Sequence, residues 1–192
     1  MDNVKVYTVT RLILIRHAES EGNADNIMQG SRNYPLSKTG SLQAKRAAAS
    51  IKSLAPAEVV SSPLSRAYDT AYTVFSRVDR VDDRLTERSA GSWEGVPREV
   101  FEKKNPGALQ DDLLRPNDFE SELDVIQRMT KACMECLTTE GLSMLFTHGA
   151  SMRILDKSLG GSGARFNHLD ALCLDADLRV VGRIAFLPQG VI

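Results

Sequence analysis

Arg11-Leu12-Ile13-Leu14-Ile15-Arg16-His17 is the stretch on which the reading of this chain turns. Leu12 to Ile15 is uninterruptedly apolar and is bounded by cations on both sides. A half-buried strand alternates apolar and polar side chains, whereas a short continuous run suits a strand covered on both faces. The segment therefore predicts a buried strand whose far end carries Arg16 and His17.

The residues downstream extend this pattern. Ser37-Lys38-Thr39-Gly40 opens a helix over Ser41 to Leu54, with Leu42, Ala49 and Ile51 on one face and Pro56 as its stop. Glu58 to Ser61 reads as a brief strand, and Pro63 begins a second helix through about Phe75. Val78 to Val81 is a further short strand, and Pro97 to Lys104 a short helix ended by Asn105-Pro106-Gly107. Asp111 to Asp118 reads as a loop suited to a mobile cover over a site. Glu120 to Leu137 is the longest helix, with Leu123, Ile126, Met129, Cys133 and Leu137 on one face. Leu142 to Phe146 is a strand and Ala150 to Leu159 a helix. Ala171 to Leu174 and Val180 to Phe186 are two strands around a turn at Asp175 to Leu178. Strands alternating with helices predict an α/β fold with a mostly parallel sheet covered on both faces, to which the last pair adds an antiparallel strand.

Composition narrows the function classes. With 42% hydrophobic residues and 26% charged over 192 residues, the chain suits one folded domain, 1–192, and is too apolar for disorder. A formal net charge of -1 gives no reason to expect nucleic acid or a membrane surface as partner, so any anion site must be built locally from converging cations. The run Leu12 to Ile15 is too short for a signal-peptide core or a membrane span. Three cysteines make no disulfide framework, which makes a reducing cytoplasm the default. Composition says nothing of oligomeric state.

Ligands of open α/β sheets sit beyond the carboxyl ends of the strands. Arg16 and His17 end the first strand, Arg66 follows the second, Glu87 follows the segment near Val81, and His148 ends the strand Leu142 to Phe146. Two arginines, two histidines and a glutamate meeting at one sheet edge suit phosphoryl transfer without a metal. Guanidinium groups pair bidentately with phosphate oxygens and stay charged. A neutral imidazole is a nucleophile, a second histidine can donate to a phosphate oxygen, and a protonated glutamate can serve the leaving oxygen. With Glu87 protonated while His17 is neutral, the expected optimum is mildly acidic. Glu94 competes with Glu87 for the acid role. Cys133-Met134-Glu135-Cys136 has redox or metal spacing, but within a helix and without a second pair it reads as packing. His168 reads as structural or exposed, and Trp93 as either packing under the acid segment or lining a pocket.

Arg16-His17-Ala18-Glu19-Ser20 with Asn23 resembles the signature of the histidine phosphatase superfamily, the phosphoglycerate-mutase-like fold, with Ala18 where that family usually has glycine. Pro35-Leu36-Ser37-Lys38-Thr39-Gly40, Ser62-Pro63-Leu64-Ser65-Arg66-Ala67 with Thr70, and Leu85-Thr86-Glu87 followed by Gly91-Ser92-Trp93-Glu94-Gly95 are similar to its later segments. Glu120-Ser121 with Asp124-Val125 and Arg128 is similar to a helix start of its phosphatases, with Phe119 where a glycine is usual, and Thr147-His148-Gly149 matches its second histidine motif. The resemblance implies a three-layer α/β/α sandwich with no metal or organic cofactor. It implies that His17 becomes phosphohistidine, that Glu87 is the acid, and that Arg16, Arg66, His148 and Gly149, with Asn23, bind the transferring phosphoryl group of a small phosphorylated substrate.

Two other functions fit the same residues less well. Mutases of the family are generally longer, with an arginine-rich insertion after the acid motif; here Val96 to Asp118 is short and its cations Arg98, Lys103, Lys104 and Arg115 look scattered, although Arg88 is a mutase-like detail. A non-catalytic phospho-ligand-binding relative would typically lack the nucleophile or a phosphate-binding arginine, and both are present. Substrate specificity is expected from Trp93 to Asp118 and from the loop Met28 to Tyr34.

Overall fold

The computed structural model describes residues 9–187. Its elements are β1 (Leu12–Arg16), α1 (Glu21–Ala24), α2 (Lys38–Lys52), β2 (Glu58–Ser61), α3 (Ser65–Phe75), β3 (Arg80–Val81), α4 (Arg98–Lys104), α5 (Glu122–Cys136), β4 (Ser143–Thr147), α6 (Gly149–Ser158), β5 (Asp170–Leu174) and β6 (Val180–Ala185), with short 3-10 turns at Asp83–Leu85, Gly91–Trp93 and Asp112–Leu114. One six-stranded sheet runs in the order β3-β2-β4-β1-β5-β6. Strands β1 to β4 pair in parallel, and β5 runs antiparallel to both of its neighbours, β1 and β6.

The apolar run of β1 does what a doubly covered strand must. Leu12 and Leu14 join a core with Val60, Leu145, Leu172 and Leu174 under α5 and α6. Ile13 and Ile15 join the opposite core with Val59, Met144, Phe146 and Ala171 under α2 and α3. The sheet is thus the middle layer of an α/β/α sandwich. Three free cysteines, Cys133, Cys136 and Cys173, are buried, and burial pushes each thiol up; Cys133 and Cys136 belong to the α5 core, in line with the packing reading. Among the described residues no helix is long and apolar enough to cross a membrane.

Two helix faces differ from the sequence reading. In α2, capped by Ser37 Oγ on the Gly40 amide at 2.9 Å, the buried face is Gly40, Ala44, Ala47 and Ile51. Leu42 is 54% exposed and Ala49 is exposed. Leu42 lies about 200° round the helix from Ala44, so the small residues, which allow close packing on the sheet, take the inner face. A Cβ on Gly40 would come 1.8 Å from the Glu19 carbonyl oxygen, so only glycine admits this approach. In α5 the face is Val125, Met129, Ala132, Cys133 and Cys136. Ile126 and Leu137 pack only at its margin, and Leu123 is 62% exposed, about 120° from Met129. Val78 and Asp79 precede the paired part of β3.

Register and loop bracing place the site. Arg16 of β1 stands opposite Thr147 of β4, and His17 N–H donates to the Thr147 carbonyl at 3.0 Å, so His17 and His148 leave the sheet side by side. Between α6 and β5, the buried Asp156 carboxylate accepts from the Gly163 amide at 2.7 Å and pairs with Arg183 of β6. The Arg183 guanidinium lies 4.1 Å over the Phe166 ring, and the Phe166 carbonyl accepts from Arg16 Nη1 at 2.7 Å. A loop that would otherwise be loose is thereby tied to the end of β1.

Candidate active site

His17 is 3% exposed, and its Nδ1 lies 2.6 Å from the Ala18 carbonyl oxygen. A carbonyl only accepts, so Nδ1 carries the proton and Nε2 keeps its lone pair. The rings of His17 and His148 are 5.0 Å apart at 60°. His148, 0% exposed, caps α6, and its Nε2 lies 2.8 Å from Ser62 Oγ, while Nδ1 is buried without a protein partner among the described residues. Burial, then the cations Arg66 and (for His17) Arg16, hold both imidazoles well below the ordinary histidine range.

Both arginines expected here flank these rings. Arg66, 1% exposed, donates from Nη1 to the Arg32 carbonyl at 2.8 Å and from Nη2 to the Gly30 carbonyl at 2.9 Å. Its Nε and that of Arg16 are buried with no acceptor among the described residues. Desolvation lowers both guanidinium groups to about 10, with Glu87 opposing the effect. Gly149 opens α6 against Arg16, and a Cβ there would meet Arg16 Nε at 3.1 Å.

The start of α6 holds Glu87. Its Oε1 accepts from the Arg88 amide at 3.0 Å and the Ser151 amide at 2.9 Å, and its Oε2 from the Ala150 amide at 3.1 Å. Amides that open a helix lack intrahelical acceptors and favour an acidic partner. Arg128 of α5 fixes the approach, donating from Nη1 to the Arg84 and Thr86 carbonyls at 2.7 Å each and pairing through Nε with Glu120 at 2.6 Å. The rival carboxylate, Glu94, is a clamp instead: its Oε1 accepts from the Ser31 and Ala90 amides at 2.8 and 3.1 Å and from Ser89 Oγ at 2.9 Å. Burial is the largest single influence and raises Glu94, but the hydrogen bonds from Ser31, Ala90 and Ser89 together hold it below the usual carboxylate range.

Arg16, His17, Asn23, Arg66, Glu87 and Gly149 all line one cavity of about 360 Å³, and His148 adjoins it through His17. Asn23 also caps the one-turn helix α1, accepting on Oδ1 from the Ser20 amide at 3.2 Å. Trp93 does not line the cavity; it packs edge-on to Phe101 with ring centroids 5.1 Å apart. His168, read as structural or exposed, does not line the cavity; it is half-buried with its ring 6.3 Å from that of His17, and burial with Arg16 and Arg165 nearby lowers it to about 3. One expectation needs correction. Arg98 and Arg115, read as scattered cations, both reach the cavity wall, along with Arg88, Arg153 and Arg165. The glycines Gly160, Gly161 and Gly163 before Arg165 were the available signal of a tight loop turned towards the site.

These depressed histidines have a consequence for stability. Unfolded, each takes up a proton near pH 6.5; folded, His17, His148 and His168 all resist protonation. Unfolding therefore binds protons as pH falls below about 6.5, and stability is full above that value and lost below it, by up to about 1.4 kcal/mol per pH unit for each histidine. Thermal melts should show a Tm that is level above about pH 7.5 and falls steeply between about pH 6.5 and 5. An unchanged Tm across that window would contradict the burial of neutral imidazoles.

The family model of the histidine phosphatase superfamily (branch 1) matches residues 12–176. The chain belongs to that superfamily. Among its histidine phosphatase relatives, glucosyl-3-phosphoglycerate phosphatase of Mycobacterium tuberculosis is 36% identical over 137 residues, covering 68% of this chain and 61% of the relative. The chain thus spans about three fifths of that relative. A solved structure of mycobacterial glucosyl-3-phosphoglycerate phosphatase in complex with VO3 superposes with a TM-score of 0.80 at 28% identity, covering 90% of this chain and 96% of that one. A 2,3-bisphosphoglycerate-dependent phosphoglycerate mutase of Lactobacillus johnsonii is 35% identical over a shorter stretch, 104 residues, covering 50% of this chain and 45% of the mutase. The three-layer sandwich expected from the sequence is therefore that of the superfamily.

Proposed function

We propose that the chain is a metal-independent phosphomonoester hydrolase that passes the phosphoryl group of a small metabolite to Nε2 of His17 and then to water. One observation carries this reading: Arg16 Nε, Arg66 Nε and His148 Nδ1 are buried nitrogens without a partner among the described residues, gathered round His17. An unmet buried donor costs about 1–3 kcal/mol, and the oxygens of a phosphoryl group would satisfy all three. With the Ser62 hydroxyl, which accepts from the Leu64 amide at 3.3 Å, donating its proton to His148 Nε2 at 2.8 Å, the second ring would carry its proton on Nδ1, as binding a phosphoryl oxygen requires.

His17 Nε2 attacks phosphorus as the bond to the leaving oxygen breaks, and Glu87 supplies that oxygen's proton. Arg16, Arg66, His148 and the Gly149 end of α6, with Asn23, bind the three phosphoryl oxygens. After the alcohol leaves, Glu87 takes a proton from water, whose oxygen displaces His17 and forms inorganic phosphate. Among the described residues no group of three or more His, Cys, Asp or Glu could hold a metal ion. The 1–192 chain is read as one catalytic domain, and its buried free thiols suit a reducing cytoplasm. The formal net charge of -1 gives no reason to expect nucleic acid as a partner.

Arg88, which directly follows Glu87 and lines the cavity, keeps a mutase as the second reading. Phosphate release in EDTA from p-nitrophenyl phosphate and glucosyl-3-phosphoglycerate, set against isomerisation of 3-phosphoglycerate, separates the two. Hydrolysis with little isomerisation is expected. Fast isomerisation without net hydrolysis would overturn the proposal, as would activity lost in EDTA and restored by a divalent cation.

A further inference from the structure

Ser151 lies in the first turn of α6 and is 0% exposed. Its amide donates to Glu87 Oε1, but its hydroxyl has two acceptors at once. Oγ lies 2.9 Å from the Thr86 carbonyl oxygen and 3.0 Å from Glu87 Oε1. Arg128 Nη2 donates to the same Oγ at 3.3 Å and so occupies one of its lone pairs. A serine hydroxyl carries one proton, which serves one of these two acceptors fully at a time.

The fold does not depend on that proton. The Thr86 carbonyl already accepts from Arg128 Nη1 at 2.7 Å. Glu87 Oε1 already accepts from the Arg88 and Ser151 amides, at 3.0 and 2.9 Å. Arg128 Nη2 has Glu120 Oε2 as another partner at 3.0 Å. A buried hydroxyl whose partners are all satisfied without it adds little to stability. What it can do is distinguish two states of Glu87, because a hydrogen bond to an ionised group is roughly twice as strong as one between neutral groups. The two carboxyl oxygens are also unlike. Among the described residues Oε2 has one donor, the Ala150 amide at 3.1 Å, whereas Oε1 has two amides and the hydroxyl. The acid's proton therefore belongs on Oε2, and Oε1 is where the hydroxyl can answer a new charge.

We propose that Ser151 is a positioning residue whose hydroxyl proton follows Glu87, facing the Thr86 carbonyl while Glu87 holds its proton and turning to Oε1 once that proton is given up. This rests on the phosphohydrolase reading and deepens its proton-transfer step. As the bond between phosphorus and the leaving oxygen breaks, the Oε2 proton passes to that oxygen and the hydroxyl turns to the new carboxylate. When water displaces His17, Oε2 takes a proton from it and the hydroxyl turns back. No heavy atom has to move, so a donor is in place where the charge forms. The other charges that act on Glu87 or adjoin it are Arg16 of β1, Arg66 of α3 and Arg98 of α4, with Arg88 next in sequence and Arg128 of α5 behind Ser151. Both imidazoles of the site, His17 and His148, are held neutral.

Ser151→Ala tests the proposal, since it leaves all of these groups in place. It should melt cooperatively, because every former partner keeps another; failure to fold would contradict the redundancy on which the proposal stands. Its kcat/KM for alkyl phosphates should fall about 5- to 10-fold, the ratio between a charge-assisted and a neutral hydrogen bond, with a far smaller loss for p-nitrophenyl phosphate. Losing a donor disfavours the carboxylate, so the alkaline limb of the pH profile should move up by about 0.5–1 pH unit. A merely structural role would slow both esters alike and leave that limb in place, and either result would overturn the proposal. If no ester were hydrolysed by wild type, the phosphohydrolase reading would fall, and infrared difference spectra at neutral pH would still decide the hydroxyl's place. The Glu87 carboxylate bands, isolated by subtracting the matching Glu87→Gln protein, should shift between wild type and Ser151→Ala. Coincident bands would mean that the hydroxyl never reaches Oε1, and would overturn it.

Discussion

His17→Ala is expected to lower phosphate release by roughly 10⁴-fold or more, because it removes the atom to which phosphorus would become bonded in the proposed mechanism and leaves no neighbouring nucleophile in the same place. His148 is the nearest imidazole, but its Nε2 is engaged with Ser62 and its ring centre lies 5.0 Å away. The loss should not reflect unfolding. Truncation strands the Ala18 carbonyl, which costs about 1–3 kcal/mol and is removed in His17→Asn, whose amide can still donate. Both variants should melt cooperatively and both should be inactive in a steady-state phosphate assay. Turnover in either within tenfold of wild type would mean that phosphorus is attacked by another group. Because its surroundings hold His17 well below the ordinary histidine range, Nε2 should remain unprotonated at mildly acidic pH, and kcat/KM should show no loss of nucleophile near pH 6.5.

Glu87→Gln is expected to slow hydrolysis of alkyl phosphates by about 10²- to 10⁴-fold while slowing p-nitrophenyl phosphate far less. An alkoxide must be protonated as it departs, whereas nitrophenolate leaves unaided, so the deficit should grow with the leaving group's pKa. Positioning is part of the effect. The wild-type carboxylate accepts from the Ala150 and Ser151 amides, and a glutamine turns one acceptor into a donor facing an N–H group. A stability loss of about 1–3 kcal/mol should therefore accompany the kinetic one. Comparing Glu87→Gln with Glu87→Ala separates them: a purely structural fault would slow both classes of ester alike. An alkyl phosphate turned over at the wild-type rate would move the acid role elsewhere.

How far these sites could be read in advance depended on the kind of signal. The strands β1, β2 and β4 are short continuous apolar segments, and the residues just beyond their ends are named by adjacency alone, so His17 and His148 were legible as a pair. The parallel register then sets Arg16 opposite Thr147 and brings the two rings together. Helix faces were less legible, because Gly40, Ala44 and Ala47 carry little hydrophobic signal yet pack where Leu42 was expected. Helix α1 escaped notice: it is one turn long and made by the Ser20–Asn23 capping box. The cavity's outer arginines were the least legible. Arg98, Arg153 and Arg165 come from α4, α6 and the loop before β5, and only the folded loops bring them to one wall.

Rapid-quench labelling during turnover of a phosphomonoester labelled in its phosphoryl group tests phosphoryl transfer to His17 directly. The expected result is a transient protein-bound phosphate that survives alkali, is lost in acid, maps to His17 and forms and decays at rates that accommodate kcat. Turnover without such a species, or with the label on another residue, would contradict it.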